Sequence, residues 1–423
     1  MGRLYRMNSS KPYFANKIIN PALRILLPIL LCGLVLVPQT SALEYSVSTQ
    51  SLVAAQKSSQ TTSIFFFNRI RTQTEFEFSE NCITELDYEL FPSWIDSAKL
   101  YSNISIKNSN SRIYRIADLN HSITNIPDTS DSTKHWQLEH NLDRALMRCQ
   151  SGNWEYIIGR QVVTFGGMSV NPTDVFAPVS FKTLDQEFRP GVDALRIIGG
   201  LGETTEIEAG ILTGKNADAE KNGVYLRSHF LLVNTDVTPL LAGFKKNKLL
   251  GLTLQSEYGQ LGIVFDGAVI IQRKSAQETA AEMPNKWTAW TLGLNLQWNE
   301  KLFTMLDFHH NPMGTIKLSE YLNNAASVIY QEYPLALLGQ DYLLPSLVYQ
   351  QSPLLSLRSS VISNINDGSF TSSSQLEWSI TEDSLLSGSL ILASGKQSAL
   401  SAEKHSEFGD SPNSFQLVFK HYL

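Results

Sequence analysis

The chain has 423 residues with 34 basic and 40 acidic side chains, a formal net charge of −6 and a mean hydropathy of −0.11. An acidic balance argues against a nucleic-acid partner. No stretch after residue 42 approaches 18 consecutive apolar residues, which excludes helical membrane spans.

Residues 1–42 read as an export signal. Five basic residues (Arg3, Arg6, Lys11, Lys17, Arg24) and no acidic one precede an apolar run from Ile25 to Val37, and Thr40-Ser41-Ala42 supplies small residues for cleavage. That run is broken by Pro28 and falls short of the roughly 20 residues that a spanning helix needs. Cys32 follows Leu31, so the run does not resemble a lipoprotein signal. Removing the signal leaves 29 basic (34 less five) against 40 acidic residues, a net charge of −11. The mature chain is rich in Ser, Thr, Asn and aromatic residues, and alternates apolar with polar nearly throughout. This is the pattern of a barrel with a greasy outer face and a wet inner one.

Residues 43–61 read as a periplasmic segment, and 62–423 as a transmembrane, antiparallel, up-and-down β-barrel of about 16–18 strands. The first strand falls around Ser63 to Phe78, with Phe76 and Phe78 opposite Arg69, Arg71, Gln73, Glu75 and Glu77, and is expected to pair with the last strand. In Gln260 to Gln272, Leu261, Ile263, Phe265, Val269 and Ile271 oppose Gly262, Asp266 and Gln272. Between Trp287 and Trp298 one face carries Trp290, Leu292, Leu294, Leu296 and Trp298 and the other Thr291, Gly293, Asn295 and Gln297. Phe370 to Ile380 repeats the plan. A slip of one residue would put Asp266 or Glu377 into lipid, so these registers should be firm.

Connections set the orientation, because such barrels keep short turns in the periplasm and long loops outside. Short links are expected at Pro92 to Asp96, Ser151 to Asn153, Tyr258-Gly259, Asn299-Glu300, Ser352-Pro353 and Glu382-Asp383. Long polar stretches, including 108–132, 166–190, 312–340 and 396–413, fall outside; the hairpins near Lys245 and Asp367 are short exceptions. The 319–333 stretch has helix-like composition. With this topology Cys82 lies near an outer turn and Cys149 near a periplasmic one, about 25 Å apart across the apolar band. Two free thiols are expected.

The last strand, Phe415 to Leu423, places Phe415, Leu417, Phe419 and Leu423 on one face. It resembles the carboxy-terminal signal that hands outer-membrane proteins to their insertion machinery, although such signals usually end in Phe. His309-His310 is a poor metal pair because neighbouring strand residues face opposite ways. Gly199-Gly200-Leu201-Gly202 is a turn, since no helix follows it. No cofactor, metal or catalytic constellation is expected.

The most specific stretch runs through Asp143-Arg144, Gly159-Arg160-Gln161, Phe165-Gly166-Gly167, Asn171-Pro172-Thr173-Asp174-Val175-Phe176-Ala177-Pro178 and Glu187-Phe188-Arg189-Pro190-Gly191-Val192-Asp193-Ala194. Over about 50 residues this order resembles porin-like Gram-negative outer-membrane barrels in the style of alginate-export and solute channels. The resemblance implies a barrel at the cell outer membrane. Arg160 breaks the outward row Trp154, Tyr156 and Ile158, and a charge facing mid-bilayer lipid costs on the order of 2–4 kcal/mol. A bulge at Gly159 could turn it inward to join Arg144 and Arg148 in a basic patch. The 166–190 segment is expected to fold into the lumen, with Asp174 or Glu187 pairing Arg160 or Arg189, and Asp193 among the constriction candidates. An equal alternative is that these charges only brace the loop against the wall.

The functional expectation is a channel for passive transport of small hydrophilic solutes, or for export of a polymer such as a polysaccharide. The alternatives are a plugged structural or assembly barrel serving a surface-polymer or secretion system and, with no local pattern behind it, an outer-membrane hydrolase. Lipid, the insertion machinery and a hydrophilic solute are the expected partners.

Overall fold

A computed structural model of the protein describes residues 43–57, 62–95, 114–117, 121–128, 131–177, 189–245, 247–272, 286–326, 337–398 and 405–423. The export signal expected at 1–42 lies outside the described residues. The first ten strands are β1 (Leu43–Lys57), β2 (Thr62–Ser79), β3 (Cys82–Ile95), β4 (His121–Asp128), β5 (Asp131–Ser151), β6 (Trp154–Gln161), β7 (Val192–Gly200), β8 (Thr205–Leu212), β9 (Gly223–Leu232) and β10 (Thr235–Phe244). Then follow β11 (Asn247–Tyr258), β12 (Leu261–Gln272), β13 (Lys286–Gln297), β14 (Leu302–His310), β15 (Asp341–Ser352), β16 (Leu355–Asn364), β17 (Phe370–Thr381), β18 (Ser384–Ser394) and β19 (Asn413–Tyr422).

Eighteen of these close into an antiparallel transmembrane barrel, sealed where β1 pairs with β19 from Ser48 opposite Tyr422 to Lys57 opposite Asn413. Among the described residues, β4 pairs only with β5, while β3 pairs with β5 directly. The 21-residue β5 therefore has β3 along one edge, and along the other β6 from Ala145 to Ser151 and β4 from Asp131 to His140.

Alternation decides which way each strand faces. Leu292, Leu294, Leu306, Leu343, Leu376, Phe415, Leu417 and Phe419 are exposed on the outside, where they meet hydrocarbon rather than water. Trp298, Trp378 and Tyr258 are exposed near the short-turn end of the same face, the depth at which amphipathic rings sit best. The expected registers hold: Asp266 lies opposite Thr291 and Thr253 on the inner face, and both Asp266 and Thr291 are buried.

Three expectations are corrected. Leu43–Lys57, expected as a periplasmic segment, is a barrel strand, and it is this strand rather than Ser63 to Phe78 that pairs with the last one. Pro92, expected in a periplasmic turn, lies within β3 opposite Leu138. Together these changes put Cys82 and Cys149 opposite each other at the short-turn end, where they form a disulfide with Cα atoms 4.1 Å apart. The missed β1 inverted the direction assigned to the next strands, and the extra turn at Pro92 restored it before Cys149. A thiol reagent is expected to label neither cysteine until the protein is unfolded and reduced. Replacing both by serine should cost roughly 2–4 kcal/mol, read as earlier loss of the folded band on heating in detergent gels.

Candidate functional site: a loop folded across the lumen

Strand β6 stops at Gln161 and the chain leaves the wall. Gly159 prepares this exit: its φ is +117°, and a Cβ there would lie 2.2 Å from the Ala145 carbonyl oxygen, so only glycine fits. The expected bulge is not formed. The pairing of β6 with β5 and with β7 runs without a shift, and Arg160 faces Asp193 across the ladder.

Residues 162–177 then pack inside the barrel. A compact turn forms as Asn171 accepts the Met168 N–H at 2.9 Å and donates to the Met168 carbonyl at 2.8 Å, while the Asp174 N–H reaches the Asn171 carbonyl at 3.1 Å. Val163, Phe165, Val170, Val175 and Phe176 are buried in one apolar cluster with inward residues of the wall. Phe165 meets Tyr225 at 5.0 Å between ring centroids and Phe176 meets Tyr114 at 5.3 Å, both edge-on, the arrangement that ring quadrupoles favour. The wall makes room with small residues: a Cβ on Gly251 would lie 2.8 Å from Thr173 Cγ2, and one on Gly293 2.6 Å from Met168 Cε.

Polar contacts fix the loop at three points. The Thr173 N–H and hydroxyl donate to Asp266 at 3.0 and 2.7 Å, and the Thr253 hydroxyl donates to the same carboxylate at 2.7 Å. The Ser169 N–H donates to Asp307 at 3.2 Å. At the root of the loop, Arg189 pairs with the buried Asp174, which also accepts the Thr164 hydroxyl at 2.9 Å. Burial pushes the Asp174 carboxyl up, and the Arg189 charge only partly offsets it.

Beside this root lies a charge cluster on β2, β3 and β5. A register shift opposite Asp87 and Tyr88 leaves Asp143 as an extra residue in β5, so Asp143 and its neighbour Arg144 are both buried, as a bulge permits. Arg71 contacts Asp87 at 2.5 Å, Glu89 at 2.7 Å and Asp143 at 3.1 Å. Arg144 contacts Asp143 at 2.7 Å and donates to the Arg189 carbonyl at 2.9 Å. Arg115 donates to the Gly191 carbonyl at 2.8 Å. Arg160 grips Asp193 at 2.7 Å and also donates to the carbonyls of Leu142 and Ala117.

The structure thus gathers Arg144, Arg160, Asp174, Arg189 and Asp193 around the two ends of the loop. Of the pairings left open, Asp174 or Glu187 with Arg160 or Arg189, the structure forms Asp174 with Arg189, whereas Arg160 takes Asp193. Arg148 stands apart, half exposed and paired with Glu155 at 3.0 Å, so the three arginines do not form an open basic patch. Glu187 lies outside the described residues. Asp87, Glu89, Asp143, Asp266 and Asp307 were missed as site residues. Of these, Asp266 was already placed inward by alternation, but no local pattern shows that the loop would reach it.

One arginine differs from the others. Among the described residues the other arginines each have a carboxylate within ion-pair distance. Arg358 has neither an ion pair nor a hydrogen bond among the described residues, and is exposed on β16 opposite Val348 and Gln375. Its inner-face neighbour Ser360, opposite Ser373 and Ser346, is exposed too. The loop packs against the arc around β7–β15, and Ile362 of β16 joins the same apolar cluster, while Arg358 and Ser360 on that strand's inner row stay exposed.

A closed 18-strand barrel with greasy outside, polar inside and an inward loop is the architecture of a porin. No protein-family model matches the chain, and no curated protein does. Among solved structures it is similar to Acinetobacter baumannii OccAB3 (9% identity, 90% of this chain and 99% of that one, TM-score 0.51). It is also similar to Pseudomonas aeruginosa OccD3 (OpdP) at 11% identity, 92% of each chain and TM-score 0.52. A third, Pseudomonas aeruginosa OccK2 (OpdF) in complex with glucuronate, shares 9% identity over 90% of this chain and 98% of that one, with TM-score 0.51. At these identities the likeness shows the fold.

Proposed function

We propose that the protein is an outer-membrane channel for passive diffusion of small hydrophilic solutes, narrowed by the loop 162–177. The observation that carries this reading is the inner face of β16, where Arg358 and Ser360 are exposed beside the arc that the loop packs against. The solved structures of the same fold, one holding glucuronate, support the same reading. The outward row Phe415, Leu417 and Phe419 on β19 suits delivery by the barrel-insertion machinery. Export of an acidic polymer would call for the free basic patch that Arg144, Arg148 and Arg160 do not make.

The test is planar-bilayer conductance of the refolded protein with reversal potentials in a salt gradient. Stable current steps are expected, and Arg358→Gln should shift the reversal potential towards cation preference, because it removes an exposed inner-face arginine that has no carboxylate partner among the described residues. Arg160→Gln should leave selectivity nearly unchanged. A folded, inserted and silent barrel would overturn the channel.

A further inference from the structure

Away from the inner loop, a second polar knot ties the long-loop end together around Glu407, in the 395–412 connection. Its Oε1 accepts the Leu338 N–H at 2.9 Å, and its Oε2 accepts the Tyr342 hydroxyl at 2.5 Å and the Asn364 amide at 2.9 Å. Its own N–H donates to Asp367 Oδ2 at 2.7 Å, and the next N–H, of Phe408, donates to Ser369 at 3.2 Å. The Asn364 amide also reaches the Tyr321 hydroxyl at 3.0 Å and Asp367 at 3.3 Å. Tyr321, Tyr342, Asn364 and Ser369 have no exposed surface. Residues 405–408 are thus joined to 337–342 and to the 364–369 turn around one carboxyl.

What the knot lacks is a counter-charge. The groups facing Glu407 are the Tyr342 phenol at the start of β15, the Tyr321 phenol of the short helix Tyr321–Ala326, the Asn364 amide at the end of β16 and the Asp367 carboxylate of the turn. Among the described residues no lysine or arginine pairs with it. His405, on its own loop, is held through its N–H by Ser398 at 3.2 Å. A buried carboxylate beside a second carboxylate and without a cation is disfavoured in its charged form.

We propose that the Glu407 knot is a proton-dependent latch that pins residues 337–342 and 405–408 together in acid and loosens them as the medium becomes alkaline. Burial pushes the Glu407 carboxyl above its ordinary range; the hydrogen bonds donated by Tyr342, Leu338 and Asn364 offset only part of that, and Asp367 adds to it. The latched state therefore binds a proton that the released loop gives up. Latching is full below the ordinary carboxylate range and is lost as pH rises from there through the raised value. Each unit of upward displacement multiplies the released fraction by about ten across that window.

The test is backbone hydrogen exchange of residues 405–412 in the refolded barrel, corrected for the intrinsic pH dependence of exchange, at about pH 5 and about pH 8. In the wild type, protection of the Glu407 and Phe408 amides is expected to fall several-fold or more between the two. Glu407→Gln, neutral at both, should keep its protection at both. Asp367→Asn should move the wild-type transition to lower pH. Protection independent of pH in the wild type, a pH profile in Glu407→Gln like that of the wild type, or loss of protection in Glu407→Gln at both values would each overturn the latch. The readout does not need current, so it stands or falls separately from the channel.

Discussion

A chain in which 163–177 is replaced by a short Gly-Ser link is expected to insert as a barrel and to conduct several-fold more current than the parent, with weaker ion selectivity. The loop occupies the lumen beside the arc around β7–β15, so its removal widens the water-filled section directly. The same change should lower stability. It takes Phe165 and Phe176 out of contact with Tyr114 and Tyr225 and leaves Leu240, Ile270 and Trp287, buried in the same cluster, facing the lumen. A milder form is Phe176→Ala, for which roughly 3–5 kcal/mol of destabilisation is expected from the lost burial and the cavity. Single-channel conductance and denaturant midpoints in detergent check the two effects. An unchanged conductance in the shortened chain would place the narrowest point elsewhere.

The second large effect concerns Arg71. It is the cation shared by Asp87, Glu89 and Asp143, and all four side chains are almost wholly buried. Arg71→Ala would leave three carboxylates close together, with Arg69, Arg115 and Arg144 at the margins. Removing one partner from a buried ionic group costs about 3–5 kcal/mol. The loss should be smaller when Asp87→Asn is added, since one of the stranded charges is then gone. A double-mutant cycle on thermal or urea unfolding measures that recovery.

The strands were legible because lipid and water demand opposite side chains two residues apart. Trp290 to Trp298, Leu261 to Ile271 and Phe415 to Leu423 carry that code without ambiguity. β1 was harder to read: its inner row of Ser46, Ser48 and Gln50 gives way to Leu52 and Ala54, so the alternation fades halfway. Its omission misplaced Cys82 and hid the disulfide. The inner loop was legible from its length and its charged, proline-containing composition, whereas composition left open which of Asp174 and Glu187 would meet which of Arg160 and Arg189. The anchors Asp266 and Asp307 were not, because a contact between a loop and strands about a hundred residues further on leaves no local mark. Nor does sequence spacing foretell that Arg160 finds Asp193. That pairing depends on the β6–β7 register, which is set by the whole ladder.

The seam between β1 and β19 has a bearing on how the molecule is made. It joins the first strand to the last, the longest separation in sequence that any pair of strands here can have, and sheets built on such distant pairings form slowly. Until β19 arrives, β1 offers an open edge along Ser48 to Lys57, able to pair with whatever strand it meets. The Cys82–Cys149 bond can form earlier, fixing β3 against β5 while the chain is still waiting for its last strand. Oxidation would thus precede closure, and a nascent chain held reduced should reach the sealed barrel later and lose more of itself to aggregation.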